Sequence, residues 1–143
     1  MNLSERNLEG DFLEATTAGG GDRWKLTRPA PLEVHAVVSS GKHPEERFTA
    51  RLLWTHYPDS PPSLKFIDAA SGRLDLPSAW PMLRGFRPAS LDTCVNWTSE
   101  GMNLHPEWRD DPKFRWDRRG NVLLRTLQTL IAELDEFCEG RHK

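Results

Sequence analysis

The six residues Tyr57-Pro58-Asp59-Ser60-Pro61-Pro62 constrain this chain more than any other stretch. Three prolines in five positions remove backbone donors and fix φ, so neither a helix nor a sheet ladder passes through them. The segment is a rigid, hydrogen-bond-poor connector between the elements on its two sides.

Before the connector, three segments read as strands. Arg23–Thr27 sets Trp24 and Leu26 against charged or polar neighbours, and Leu32–Ser39 is rich in valine. Phe48–Thr55 alternates most clearly, with Phe48, Ala50, Leu52 and Trp54 on one face and Thr49, Arg51 and Leu53 on the other. Ser40-Gly41 and Lys42-His43-Pro44 supply the turn between the last two. After the connector, Ser63–Ile67 (SLKFI) reads as a fourth strand, and residues 68–83, with Gly72, Pro77 and Pro81, as a loop. Strands that follow one another through short turns predict an antiparallel meander.

Helices flank this meander. Asn2 is placed to cap a helix over residues 2–17, with Glu5 completing a capping box and Leu8, Phe12 and Thr16 on one face. Gly19, Gly20 and Gly21 are expected to end it in the left-handed conformation. A second helix is expected from Arg118 to Phe137, capped by Asp117. Leu123, Leu127, Leu130, Ile131, Leu134 and Cys138 make the stripe of a helix packed on a sheet. Arg118 and Arg119 at its start, and Glu133, Asp135 and Glu136 near its end, oppose the helix dipole, so packing must carry it. The predicted fold is a single α+β domain over residues 1–143: an N-terminal helix, a four-stranded antiparallel meander, a long loop and a helix on the sheet.

That long loop, Arg84–Trp116, holds no sustained period of two or of 3.6. Trp97, Trp108, Phe114 and Trp116 give it the apolar surface that disordered segments lack, so it is an ordered loop built around Cys94. Net charge is −2 with acids and bases interspersed, which gives no case for nucleic acid or anionic lipid. Apolar runs are too short to span a bilayer, and residues 1–12 hold no signal-peptide core. With two cysteines, these features point to a reducing, cytoplasmic setting and free thiols. His35 and His56 show no metal-ligand spacing and no GxxxxGK[ST] motif is present, so no metal or cofactor is expected.

The order of these features resembles the ubiquitin-conjugating enzyme family. Tyr57–Ile67 is similar to its YPxxPPxxxF segment, Cys94 and Trp116 stand where its active cysteine and following tryptophan stand, and Arg118–Phe137 matches its central helix. His105-Pro106-Glu107-Trp108 is similar to the HPExW of the family's membrane-associated branch. Arg87-Pro88-Ala89-Ser90 replaces the usual His-Pro-Asn, the first helix is acidic where the family's is basic, and the two C-terminal helices are absent. Such a compact chain is most similar to bacterial members of small conjugation operons, some of which act in antiviral defence. The resemblance implies a UBC-like fold, a ubiquitin-like protein and an adenylating activating enzyme as partners, the latter docking on the N-terminal helix, and a target protein supplying an amine.

On this reading Cys94 carries the modifier's C-terminus as a thioester, since a thiolate is both a strong nucleophile and a good leaving group. Asn96 and Asn103 are the amides available to an oxyanion, with Ser90 and Thr93 as hydroxyl alternatives. Asn96 is preferred because, in an extended segment, it shares a face with Cys94. His105 is the candidate base, Asp92 and Glu100 are groups to steer the amine, and Trp97 and Trp108 are candidate platforms for the substrate. Each has a structural rival: a buried thiol at Cys94, a loop-bonding role for His105, core anchoring for the tryptophans. Two other functions compete, a catalytically inactive UBC- or RWD-like protein-binding module and a Cys94–His105 thiol hydrolase. The hydrolase ranks last because no helix is expected to begin near Val95 to lower the thiol's pKa.

Overall fold

In this computed structural model, which describes residues 1–18 and 21–142, helix α1 (Leu3–Thr17) opens the chain. Asn2 accepts from the Glu5 N–H at 2.9 Å and Glu5 accepts from the Asn2 N–H at 3.3 Å, the reciprocal box the sequence calls for. Its inward face differs from expectation. Leu8 and Ala15 are buried with Phe12 beside them, while Thr16 is exposed and donates to the Leu13 carbonyl. Two turns of 3.6 residues return Ala15, not Thr16, to the line of Leu8. The helix also ends differently, on Ala18 in an extended conformation (φ −70°, ψ 159°). Gly19 and Gly20 lie outside the described residues, and Gly21 begins a 3₁₀ turn to Arg23.

Strands β1 (Trp24–Ala30), β2 (Glu33–Ser39), β3 (Arg47–Leu53) and β4 (Ser63–Ile67) form one antiparallel sheet in that order. β1 runs beyond its expected end at Thr27 and through Pro29. It is an edge strand, where a missing donor costs no ladder bond, and its pairing shifts between Thr27 and Ala30. β3 stops at Leu53, two residues early, yet Trp54 stays buried against Tyr57, and its N–H donates to the Leu32 carbonyl. Val34, Ala36, Val38, Phe48, Ala50, Leu52, Leu64 and Phe66 fill the buried face, so the period of two is met on every central strand.

Helix α3 (Val122–Phe137) covers that face with α1 beside it, and Val122, Leu123, Thr126, Leu127, Leu130, Ile131 and Leu134 are buried. It begins four residues after the expected Arg118, and its cap is Asn121, which accepts from the Leu124 N–H at 2.9 Å. Asp117 binds Arg119 instead. The cause is Gly120, whose φ of 72° breaks helical geometry before the stripe can begin. The proline connector bridges these layers. Tyr57, which precedes a cis bond to Pro58, is buried; its hydroxyl donates to Asp11 of α1 and accepts from the Leu123 N–H at 2.9 Å.

Residues 84–116 hold more regular structure than the absence of periodicity suggests. A small hairpin, β5 (Phe86–Arg87) with β6 (Asp92–Thr93), precedes Cys94, and helix α2 (Ser99–Leu104) and a 3₁₀ turn (Pro106–Arg109) follow it. A helix therefore does start near Val95, capped by Thr98, whose hydroxyl accepts from the Gly101 N–H at 3.1 Å. Six residues span less than two turns, too few for a period to be read. Among the described residues no helix is long and apolar enough to cross a membrane.

Candidate active site

Cys94 leaves β6 with its backbone held on three sides. Its N–H donates to the Gly85 carbonyl at 2.6 Å, and Gly85 sits at φ 89° where an added Cβ would come within 3.1 Å of the Cys94 carbonyl. Thr98, buried, donates to the Thr93 carbonyl at 2.7 Å and reaches the Val95 carbonyl at 3.2 Å. Gly101 then lets α2 press on Val95, because a Cβ there would lie 1.8 Å from the Val95 oxygen. The backbone around the thiol is pinned by hydrogen bonds and by two glycines, Gly101 with no room for a Cβ and Gly85 in a left-handed conformation.

The two free thiols have opposite surroundings. Cys94 is half-buried, whereas Cys138 is 2 % exposed at the end of α3 and burial pushes its thiol pKa up. Cys94 lines an open groove of about 570 Å³ with Leu83, Arg84, Gly85, Arg87, Val95, His105, Trp108, Glu133 and Phe137. His105 stacks on Trp108 with ring centres 4.2 Å apart, and its Nδ1 lies 3.1 Å from the Glu107 carboxylate, which its own backbone N–H and then that bond hold below the usual range. Burial, followed by the neighbouring Glu136 charge, pushes the Glu133 carboxyl up. Phe137 is 51 % exposed and gives the groove an apolar wall.

The sequence-predicted residues divide sharply. Cys94, His105 and Trp108 meet at the groove, and Asp92 reaches its edge by accepting from Arg87 Nε at 2.7 Å. Asn96 does not line it: the chain turns at Val95–Thr98, closed by a bond from the Thr98 N–H to the Val95 carbonyl, so the extended geometry behind the expected shared face is absent. Its amide donates instead to the Phe114 carbonyl at 3.2 Å. Trp97 packs edge-on against Phe86, at 6.3 Å and 62°. Glu100 accepts from Ser63, from the Leu64 N–H at 3.1 Å and from Lys65 at 2.9 Å, fastening α2 to β4. Asn103 accepts from Arg109 at 3.1 Å beside a different pocket. Thr93 is buried and bonded to the Leu64 carbonyl, and Ser90 lies in the exposed hairpin turn beside Leu91, whose φ is 54°.

Four groove residues carried no sequence signal. Arg84 and Arg87 look like ordinary surface cations, and Glu133 and Phe137 arrive from the far end of α3. Among the described residues no group of three or more His, Cys, Asp or Glu is placed to hold a metal ion. No family model, no curated protein and no solved structure matches this chain.

Proposed function

We propose that this chain is a ubiquitin-conjugating-type carrier, in which Cys94 accepts the C-terminus of a ubiquitin-like protein from an activating enzyme and passes it to an amine. The observation that carries the reading is the half-buried Cys94 thiol in an open groove, its backbone pinned from behind, while the chain's other thiol is sealed. The order of helix, meander, cysteine loop and covering helix supports a UBC-like fold. Leu3 and Leu13, 70 % and 63 % exposed on α1, offer the activating enzyme an apolar footing. The setting this reading implies is a bacterial conjugation operon, including those that serve antiviral defence.

The Cys94 thiolate attacks the activating enzyme's thioester carbonyl, and that enzyme's thiolate leaves. Later a target amine attacks the Cys94 thioester; the carbon–sulfur bond breaks, Cys94 departs as thiolate, and the amine's proton passes to His105. Exchange between thioesters is nearly balanced, so no nucleotide site is required here. Neither Asn96 nor Asn103 lines the groove; Arg84, which does and meets no carboxylate among the described residues, is the donor this reading assigns to the oxyanion. A second reading, an inactive protein-binding module, draws on the lack of a side-chain amide at the groove.

A non-reducing gel separates them. Incubated with activating enzyme, ATP and the ubiquitin-like protein, a carrier gains a heavier band that dithiothreitol removes. Cys94→Ser abolishes the band or makes it reductant-resistant, and Cys138→Ser leaves it intact. Loss of the band in Cys138→Ser alone overturns the assignment. Binding without any adduct favours the module, and release of free modifier without an adduct favours a hydrolase.

A further inference from the structure

A second pocket, of about 600 Å³, shares no lining residue with the Cys94 groove. We infer that it binds a small molecule joining an oxyanion, phosphate or carboxylate, to an apolar or aromatic body. Three guanidinium groups line it, from Arg109, Arg115 and Arg118, against one carboxylate, Asp59. Asp59 is already taken by Arg118 at 2.8 Å. Arg109 gives one N–H to the Asn103 carbonyl oxygen, which leaves the Asn103 amide donors free, and the Arg115 guanidinium has no partner among the described residues. What the pocket lacks is an acceptor with negative charge, and a planar guanidinium fork matches a phosphate or carboxylate edge.

The rest of the lining sets Leu53, Pro61, Met102 and Trp116 beside the hydroxyls of Thr55, Ser60, Ser63 and Ser99. Met102 is 4 % exposed, and Trp116 is fixed by donation from its Nε1 to the Pro58 carbonyl at 2.9 Å. Its walls are tied together by the Glu100 clamp on β4 and by the Arg118–Asp59 pair, so the cavity is preformed. Its size lies within the usual range for small-molecule sites. A bare anion leaves the half-buried Leu53, Pro61 and Trp116 surface uncovered, and an uncharged ring leaves two cations unmatched.

The test is calorimetric titration of the full chain with 1-naphthyl phosphate, inorganic phosphate and 1-naphthol. Naphthyl phosphate binds one to one, and each fragment alone binds at least about tenfold more weakly. The double variant Arg109→Gln/Arg115→Gln weakens naphthyl phosphate by about tenfold or more, Arg109→Lys/Arg115→Lys by less, and Arg73→Gln leaves it unchanged, all with unaltered circular dichroism. Absence of saturable binding, equal binding of 1-naphthol, or an indifferent Gln double variant overturns the inference. Tighter binding of a penta-aspartate peptide overturns it too, by making the site a docking point for acidic protein segments.

Discussion

One phenol, that of Tyr57, joins the three parts of the fold. It donates to Asp11 on α1, accepts from the first turn of α3, and packs at 5.0 Å and 83° against Trp54 at the end of the sheet. Burial and the Asp11 bond push its pKa far above the usual tyrosine range. Asp11 is itself pushed up, chiefly by burial, while the Tyr57 hydrogen bond pulls it back down. Tyr57→Phe leaves the Leu123 N–H without an acceptor and takes the phenol donor from the Asp11 carboxylate. It is expected to lower stability by about 2 kcal/mol, read from urea midpoints at unchanged m. The lost bond favoured ionised Asp11, so the variant's deficit is full above the raised pKa of Asp11 and shrinks as pH falls through it.

Among the elements, the start of α3 is set by backbone conformation as well as by its capping residues. The α3 stripe was legible, but Asp117 and Asn121 are both good caps and only the conformation of Gly120 separates them. Asn121 bonds in two directions, to Leu124 within its helix and to the Asp11 carbonyl at 3.0 Å across to α1. Asn121→Ala is therefore expected to cost about 1 kcal/mol, and Asp117→Ala clearly less, in thermal unfolding of the two variants. An equal loss at the two positions overturns the assignment of the cap. Helix α2 owes its position to Gly101, where close backbone approach to Val95 leaves no room for a methyl group.

Across the whole molecule, the acidic end of α3 is answered by tertiary partners rather than by its own sequence. Asp135 accepts from Arg23 through both oxygens, at 2.7 and 3.1 Å, and from the Gly41 N–H at 2.7 Å. Ser40 donates to the Leu134 carbonyl and Lys42 to the Glu136 carbonyl, so the β2–β3 turn caps the helix that the dipole leaves unsupported. The Arg23 hydrogen bond, first among the causes, holds the Asp135 carboxyl below its usual value of 3.8. Because the pair is about a third exposed, Asp135→Ala is expected to cost only about 1 kcal/mol at neutral pH. With the folded pKa depressed, wild type keeps that advantage above 3.8 and loses it as pH falls through the folded value. Urea unfolding of both proteins down the acid limb measures the convergence, and a gap that widens in acid contradicts it.

What the amino-acid sequence determined on its own is what acts over a few residues. Strand alternation, the α3 stripe, the Asn2–Glu5 box and the proline connector are each complete within one segment, so the α+β architecture could be read before any contact was known. Elements of two to six residues were not legible, since β5, β6 and α2 are shorter than the windows in which a period shows. Tertiary structure alone decided which residues stand around Cys94. A turn at Val95 sends Asn96 toward Phe114, and the packing of α3 brings Glu133 and Phe137 to the thiol from the end of the chain. Side-chain direction at a turn and proximity between distant segments depend on how whole layers dock, and no local pattern encodes that.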